Sequence, residues 1–172
     1  MTFKLEKDSR IVDFLVKLND SNRSNNYESV QLIWGRDSFR NSKSIDYENR
    51  YTALAYGFEE KKDSYLSVGG STNKNINSVN WISFREHFFS SILILKNQVN
   101  DVFISSEDLA GNETLDNKFT KRFLANVPLN LDSDDSLGFS MYFGPTDYET
   151  LKVYDLNLEN SVQIGWGIFG WL

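Results

Sequence analysis

The sequence predicts a mainly β domain that ends in one or two short helices, and three observations point to this fold class. Aromatic residues make up 15% of the 172 residues, and Tyr and Phe are plentiful. Such residues suit the pleated, half-buried surface of a sheet. Asn and Ser crowd the segments between apolar runs, where they favour turns. Several apolar runs alternate with a period of two, which is typical of strands. This length predicts a single domain, residues 1–172.

Three strands are predicted within residues 1–70. The clearest covers residues 10–18 and places Val12, Phe14, Val16 and Leu18 on one face. A turn-rich stretch at residues 19–26 follows it. Residues 30–34 and 51–58 predict the other two strands.

Further along the chain, the same reasoning predicts strands at residues 65–68, 81–84, 102–104, 123–127 and 137–143. Between them, residues 87–95 read His-Phe-Phe-Ser-Ser-Ile-Leu-Ile-Leu and are apolar on both faces. A strand with two apolar faces is covered on each side. This run is therefore predicted to form the central strand of the core.

The period changes after residue 143. Pro145 suits the first turn of a helix, and Asp147 and Glu149 lie where the helix dipole favours negative charge. Spacings of three and four then place Tyr148, Leu151, Tyr154 and Leu158 on one face. The sequence predicts a short amphipathic helix from Pro145 to about Leu158, after a β body that ends at residue 143.

Residues 161–172 carry no charged side chain. They could begin a second helix, which Gly165, Gly167 and Gly170 would weaken in water. Small residues interleaved with Trp166, Phe169 and Trp171 match a segment at a membrane–water interface. A segment that folds back onto the domain and buries its tryptophans has the same composition, so both interpretations are open.

Composition excludes several function classes. The net charge of -6 and pI near 4.8 argue against nucleic-acid binding, which needs clustered basic residues. The chain has no cysteine, so it has neither disulfides nor cysteine metal sites. No run of eighteen apolar residues occurs, and residues 1–4 lack a signal-peptide apolar region. If the native protein is exported, its signal is expected outside this chain.

Candidate chemistry is sparse. His87 is the only histidine, and with no second histidine or cysteine to build a triad or metal site we interpret it as structural. The acidic stretch at residues 132–136 opens like a calcium loop, but Leu137 and Phe143 replace the required Gly and Glu. A solvated turn between two strands is predicted there. Paired carboxylates for sugar chemistry stay open, although no pair stands out. We predict no catalytic residue, metal or cofactor.

Two stretches of the chain combine several residue types at a fixed spacing. The first joins the motif Phe143, Gly144, Pro145, Asp147 and Tyr148 to Leu151-Lys152, Leu158-Glu159 and the aromatic–glycine run at residues 165–171, about a quarter of the chain. The second lies at residues 79–93. The first stretch resembles the periplasmic domain of the YidC-type membrane protein insertases, and the second is more weakly similar to a strand pair of that family.

This resemblance implies a fold, a location and partners. The fold would be a twisted antiparallel β-sandwich, the mutarotase-like supersandwich, with C-terminal helices. The domain would lie on the periplasmic side of the bacterial inner membrane, as a non-catalytic docking and positioning module of a multi-pass insertase. Its partners would be Sec translocon components, nascent membrane proteins and the lipid bilayer surface.

The resemblance also divides the chain. Residues 144–160 would brace the β body, and residues 161–172 would begin an interfacial segment that leads to a missing transmembrane helix. Trp166, Ile168, Phe169, Trp171 and Leu172 would mark the membrane interface. The family's domain is commonly longer, so this chain would be its C-terminal part, without the membrane core that holds the substrate groove.

Two alternatives from other classes stay open. One is a carbohydrate-binding or sugar-epimerase-like β-sandwich, because the supersandwich shape is shared with mutarotases and exposed aromatic rings can stack on sugars. Fold similarity alone is a weak warrant for activity, and a single histidine argues against the enzyme version. The other is a secreted all-β domain whose C-terminus packs inside.

Overall fold

The computed structural model describes residues 1–18, 29–59, 62–66, 70–110 and 118–162, which form two antiparallel sheets packed as a sandwich. This architecture confirms the predicted fold class. The described residues contain eleven strands: β1 (Thr2–Leu5), β2 (Ile11–Lys17), β3 (Ser29–Phe39), β4 (Ala53–Phe58), β5 (Lys62–Tyr65), β6 (Thr72–Ile76), β7 (Val79–Arg85), β8 (Phe89–Val99), β9 (Val102–Asp108), β10 (Phe119–Asn130) and β11 (Ser136–Pro145).

Every predicted strand overlaps one of these elements, and two strands have no counterpart among the predictions. The predicted strand at residues 65–68 shares only Tyr65 with β5, and its residues 67 and 68 lie outside the described residues. Strand β1 reads Thr-Phe-Lys-Leu and alternates polar and apolar residues, but over only four positions, all exposed. Strand β6 reads Thr-Asn-Lys-Asn-Ile, with only its last residue apolar and buried. One run is too short and the other too polar to be recognised as a strand. The acidic stretch at residues 132–136 forms the turn between β10 and β11, as predicted.

The larger sheet has the order β1-β2-β11-β8-β7-β4-β5. Strand β8 is the fourth of these seven strands, which confirms the prediction of a central strand. Its residues alternate between the two faces, and Ile92 and Leu93 are both buried although they point in opposite directions. The sheet is therefore covered on both sides at its centre.

The inner face of the larger sheet packs on the smaller sheet, whose order is β3-β10-β9-β6. Among the described residues, sixteen buried side chains form this inner core, and all but Leu66 lie on strands of the two sheets. They include Leu54, Ile82, Phe84, Ile104 and Phe123. Trp34 of β3 stacks on Phe84 of β7 with 3.7 Å between the ring centroids. Burial of each large apolar side chain contributes about 1.5–3 kcal/mol.

The outer face of the larger sheet carries a second, smaller core, which we call the outer cluster. Its fully or almost fully buried members are Ala55, Trp81, Ile92, Tyr142, Leu151 and Leu158. The first four belong to strands of the sheet. Leu151 lies on helix α2 (Tyr148–Lys152), and Leu158 begins a 3₁₀ helix (Leu158–Ser161). These C-terminal elements therefore cover the centre of the sheet.

One helix was not predicted. Residues 45–51 form α1 (Ile45–Tyr51), so Tyr51 ends a helix and the prediction that it begins a strand is wrong. Ser44 caps α1, because its side-chain oxygen accepts a hydrogen bond from the backbone N–H of Tyr47. The strand starts two residues later, at Ala53.

Candidate functional site at the C-terminal junction

The motif predicted to start a helix is divided between a strand and a helix. Phe143, Gly144 and Pro145 are the last three residues of β11, where Gly144 pairs with Ser90 and Pro145 with Phe89. The prediction that Pro145 occupies the first helical turn is therefore wrong. The helix begins at Tyr148 instead.

Asp147 is the N-cap of α2. Its Oδ1 accepts hydrogen bonds from the backbone N–H of Thr150 at 2.8 Å and from the Thr150 hydroxyl at 2.6 Å. The hydroxyl and backbone hydrogen bonds from Thr150 lower the pKa of Asp147, because they favour the charged carboxylate. The prediction that Asp147 supports a helix start is correct, although the helix is short.

The predicted helix does not continue to Leu158. It ends at Lys152, and Asp155 and Asn157 then adopt left-handed backbone conformations, with φ of 54° and 56°. Asp and Asn tolerate this conformation better than other side chains, and it cannot continue an α-helix. The bracing segment is therefore two short helical pieces joined by a turn, which keeps Leu151 and Leu158 on the same buried cluster.

Gly144 and Tyr142 shape the end of β11. A Cβ atom on Gly144 would lie 2.5 Å from the Tyr142 hydroxyl and 2.6 Å from Cδ of Arg10, so only glycine fits. The Tyr142 hydroxyl donates a hydrogen bond to the Pro145 carbonyl at 2.9 Å. Burial, together with the nearby Tyr154, raises the pKa of Tyr142 to about 12. Tyr142 thus holds the strand end as a neutral donor.

Arg85 fastens the C-terminal elements to the rest of the body. Arg85 is 97% buried at the end of β7. Its guanidinium donates from Nη1 to the Ser161 carbonyl at 2.9 Å and from Nε to the Tyr51 carbonyl at 3.1 Å. Burial lowers the pKa of Arg85 to about 10, although an arginine stays charged at neutral pH. One charged side chain therefore joins the last residue of α1 to the last residue of the 3₁₀ helix.

His87 lies in the turn between β7 and β8, not inside a strand as the sequence predicted. Its ring is half-buried and stacks on Tyr51, with 4.5 Å between centroids, and on Phe88, at 4.1 Å. Tyr47 of α1 lies 5.0 Å from Tyr51 and 5.4 Å from His87. We call these four side chains, Tyr47, Tyr51, His87 and Phe88, the aromatic patch.

A buried lysine lies on β10, the strand against which α1 packs. Lys121 is fully buried, and burial lowers its pKa from 10.5 to about 8. Asp108 opposes this shift and Arg85 adds to it. Glu48 of α1 is also buried, and it accepts hydrogen bonds from the backbone N–H groups of Asn41 and Ser42 at 2.8 Å. The sequence did not point to Lys121 or Glu48, because a charged side chain in a polar segment does not contribute to the apolar periodicity that indicates burial.

The residues predicted to meet the membrane, Trp166, Ile168, Phe169, Trp171 and Leu172, lie outside the described residues, which end at Val162. Within the described ranges, no helix has the length and apolar character needed to cross a membrane. No group of three or more His, Cys, Asp or Glu side chains suited to a metal ion occurs among the described residues either.

Comparison with known proteins identifies relatives along the whole chain. The family model described as the YidC periplasmic domain matches residues 2–172. A protein of Parabacteroides distasonis named membrane protein insertase YidC is 32% identical over 155 residues, which cover 84% of this chain and 24% of that protein.

Two further relatives carry the same name. The protein of Azobacteroides pseudotrichonymphae is 28% identical over 97% of this chain and 29% of its own length. The protein of Phocaeicola vulgatus is 26% identical over 99% of this chain and 29% of its own length. The chain therefore spans less than a third of each of these relatives.

Proposed function

Since the chain belongs to the family of YidC periplasmic domains, we propose that it serves a membrane protein insertase as a non-catalytic docking and positioning module. The full-length protein would lie in the bacterial inner membrane with this domain on the periplasmic side. It would assist the insertion and folding of inner-membrane proteins, with nascent membrane proteins as substrates and Sec translocon components as partners.

The observation that carries this proposal is the anchoring of the C-terminal elements on the β body. Leu151 and Leu158 are fully buried in the outer cluster, and Arg85 holds the Ser161 carbonyl. The chain is therefore packed on the β body up to Ser161. A module that positions a membrane-embedded partner needs its last elements anchored in this way, because a freely hinged domain would not transmit orientation.

The segment that follows supports the same role. Residues 163–172 include Trp166, Phe169 and Trp171 among small and apolar residues. Indole rings favour the headgroup level of a bilayer. We assign this segment, with Ile168 and Leu172, to the membrane surface.

His87 supports a non-catalytic domain. The only histidine of the chain is stacked between Tyr51 and Phe88, an arrangement that suits a packing role. General acid–base catalysis would instead require the imidazole to face a reacting group at hydrogen-bond distance.

The test is a flexible linker of about ten Gly and Ser residues, inserted between Val162 and Gln163 of the full-length insertase. A positioning module predicts that the linker lowers the insertion of a substrate membrane protein in cells, while the domain stays folded and resists proteolysis. A control linker of equal length is placed in the 132–135 turn, between β10 and β11, where it leaves the connection to the membrane unchanged.

A second arm separates this role from a diffusible activity. The domain is expressed as an independent periplasmic chain in cells whose insertase lacks it. A sugar-binding or sugar-converting domain would work in this separate form, whereas a positioning module would not. Unchanged insertion with the linker at residue 162, or rescue by the separate domain, would show that the proposal is wrong.

A further inference from the structure

The aromatic patch is largely exposed at the end of the sandwich where the turn between β7 and β8 lies beside α1. Phe88 is 67% exposed, Tyr47 45% and Tyr51 40%. Phe89, the residue that follows, is 60% exposed. The four rings of the patch form one continuous row, because each lies within 5.0 Å of its neighbour. An apolar patch of this kind on a soluble domain marks an interaction surface.

The patch is held rigidly. Glu48, on the buried side of α1, accepts hydrogen bonds from the Asn41 and Ser42 backbone N–H groups and so fixes the loop that leads into the helix. At the other end of α1, Arg85 binds the Tyr51 carbonyl. Tyr47 and Tyr51 therefore present their rings from a helix that is anchored at both ends.

The patch lies beside the point where the described chain ends. The carbonyls of Tyr51 and Ser161 bind one guanidinium, so their oxygens are no farther apart than about 8 Å, two hydrogen bonds plus the width of the group. Trp166 follows Val162 by four residues, a reach of at most about 14 Å. The patch and the start of the tryptophan-containing segment thus belong to the same end of the molecule.

Exposed basic residues flank the α1 side of the patch. Lys43 and Arg50 are exposed before and on α1, and Lys118 is exposed nearby, where its carbonyl accepts a hydrogen bond from the Arg40 backbone N–H. Asp46 is the exposed acid of α1, and Glu48 is buried. On the Phe88 side, Asp147 and Glu149 are exposed just after Thr146, whose backbone N–H donates to the Phe88 carbonyl. Exposed basic residues therefore outnumber exposed acids on the α1 side, and it is this side that suits an anionic lipid surface.

We propose that the aromatic patch is a second membrane contact, which lies in the headgroup region of the bilayer to which the segment after Val162 leads. Tyr rings with a polar tip and an apolar body favour that region, and flanking Lys and Arg residues favour anionic lipids. This inference rests on the proposed membrane-facing role of the C-terminal segment. Together, the patch and the C-terminal segment would fix the tilt of the domain relative to the membrane, which a single contact cannot do.

Because the chain has no cysteine, single cysteines can report on each surface in the 172-residue chain. Phe88→Cys probes the patch and Phe169→Cys the C-terminal segment. Ile33→Cys is the matched control, because Ile33 is 68% exposed on β3 and outside the patch. Each variant is labelled with the environment-sensitive fluorophore NBD and mixed with vesicles of phosphatidylethanolamine and phosphatidylglycerol.

The expected result is a blue-shifted, stronger emission at positions 88 and 169 and no change at position 33. Tyr47→Ser combined with Tyr51→Ser should weaken vesicle binding roughly fivefold, because less apolar surface enters the bilayer. Near-ultraviolet circular dichroism verifies that each variant is folded, and Phe89→Cys replaces Phe88→Cys if that variant does not fold.

The other outcomes separate the two proposals. A response at position 169 alone would overturn the contact by the patch and leave the membrane-facing role of the C-terminal segment intact. A response at position 88 alone would support the membrane contact by the patch and overturn the membrane-facing role of the C-terminal segment. No response at either position would refute both, and a response at all three would show non-specific adsorption and overturn the patch.

Discussion

The indole ring of Trp81 lies directly against the α-carbon of Gly57, its cross-strand partner in the larger sheet. A Cβ atom on Gly57 would overlap the ring, because the nearest indole atoms occupy the space that the Cβ would fill. The buried ring depends on the missing side chain. The outer cluster, to which Trp81 belongs, therefore depends on the absence of a side chain at Gly57 of β4.

Gly57→Ala should destabilise the domain by about 1–3 kcal/mol, because the indole ring must move within a packed cluster. Urea unfolding followed by tryptophan fluorescence measures the change. Gly138→Ala on β11 is the matched control, since its Cβ would meet only the Phe14 carbonyl, at 3.8 Å. Equal effects of the two substitutions would show that the ring does not need the glycine.

Leu151→Ala should lower the free energy of unfolding by about 2–5 kcal/mol, because it opens a cavity between α2 and the sheet. Val153, two residues later, is 76% exposed, so Val153→Ala should change the free energy of unfolding by no more than about 0.5 kcal/mol. Calorimetry of both variants tests the contrast. A small effect of Leu151→Ala would mean that the C-terminal elements contribute little to the core.

Arg85→Met should lower the free energy of unfolding by about 2–4 kcal/mol, because it leaves the buried Ser161 carbonyl and the partly buried Tyr51 carbonyl without their donor. The free energy of unfolding of Arg85→Lys should lie between those of Arg85→Met and the unsubstituted protein, because an ammonium group lacks the planar fork with which a guanidinium reaches both oxygens. Hydrogen exchange provides a local measurement: the Val162 amide, bonded to the Glu159 carbonyl at 3.0 Å, should exchange faster in Arg85→Met. Unchanged exchange there would contradict the fastening role of Arg85.

Stability should rise with pH between about 8 and 10.5 because of Lys121, whose pKa burial lowers to about 8. In that range the unfolded chain, with an ordinary lysine pKa of 10.5, binds more protons than the folded protein, so raising the pH favours folding. The slope cannot exceed about 1.4 kcal/mol per pH unit for one proton.

Urea unfolding from about pH 7.5 to about pH 9.5 measures this dependence below the range in which Tyr142 acts. Tyr142 has the opposite effect, because its pKa is raised from 10.0 to about 12 in the folded protein. Its contribution to stability is fully present below pH 10 and is lost as the pH rises to 12. Lys121→Met should remove the rise. A rise that persists in this variant would assign the dependence to another group.

Much of the fold could be predicted from the sequence because the signals were local. The double-faced apolar run at residues 87–95 predicted the centre of the larger sheet, and β8 lies there. The spacing of apolar residues also predicted that Leu151 and Leu158 share one face, and both lie in the outer cluster. Apolar periodicity carries this information because it reflects burial directly.

The errors arose where the structure depends on distant partners. Helix α1 has only seven residues, and its position is set by the buried side chains of Glu48 and Arg85, which form hydrogen bonds to backbone groups. Pro145 continues a strand because its neighbour β8 supplies the pairing. The break at Asp155 and Asn157 depends on two backbone angles that apolar spacing does not report. The patch was missed because His87 and Phe88 were assigned to a strand, away from Tyr47.

Strand order also sets a sequence of folding events. The β1–β2 hairpin joins the larger sheet only along β11, so residues 2–17 wait for residues 136–145 before they can find their place. Contacts this far apart in the chain form slowly. In a polypeptide synthesised from its N-terminus, this hairpin thus emerges well before the strand that incorporates it, and its open edge is exposed to chaperones and to neighbouring chains throughout that delay.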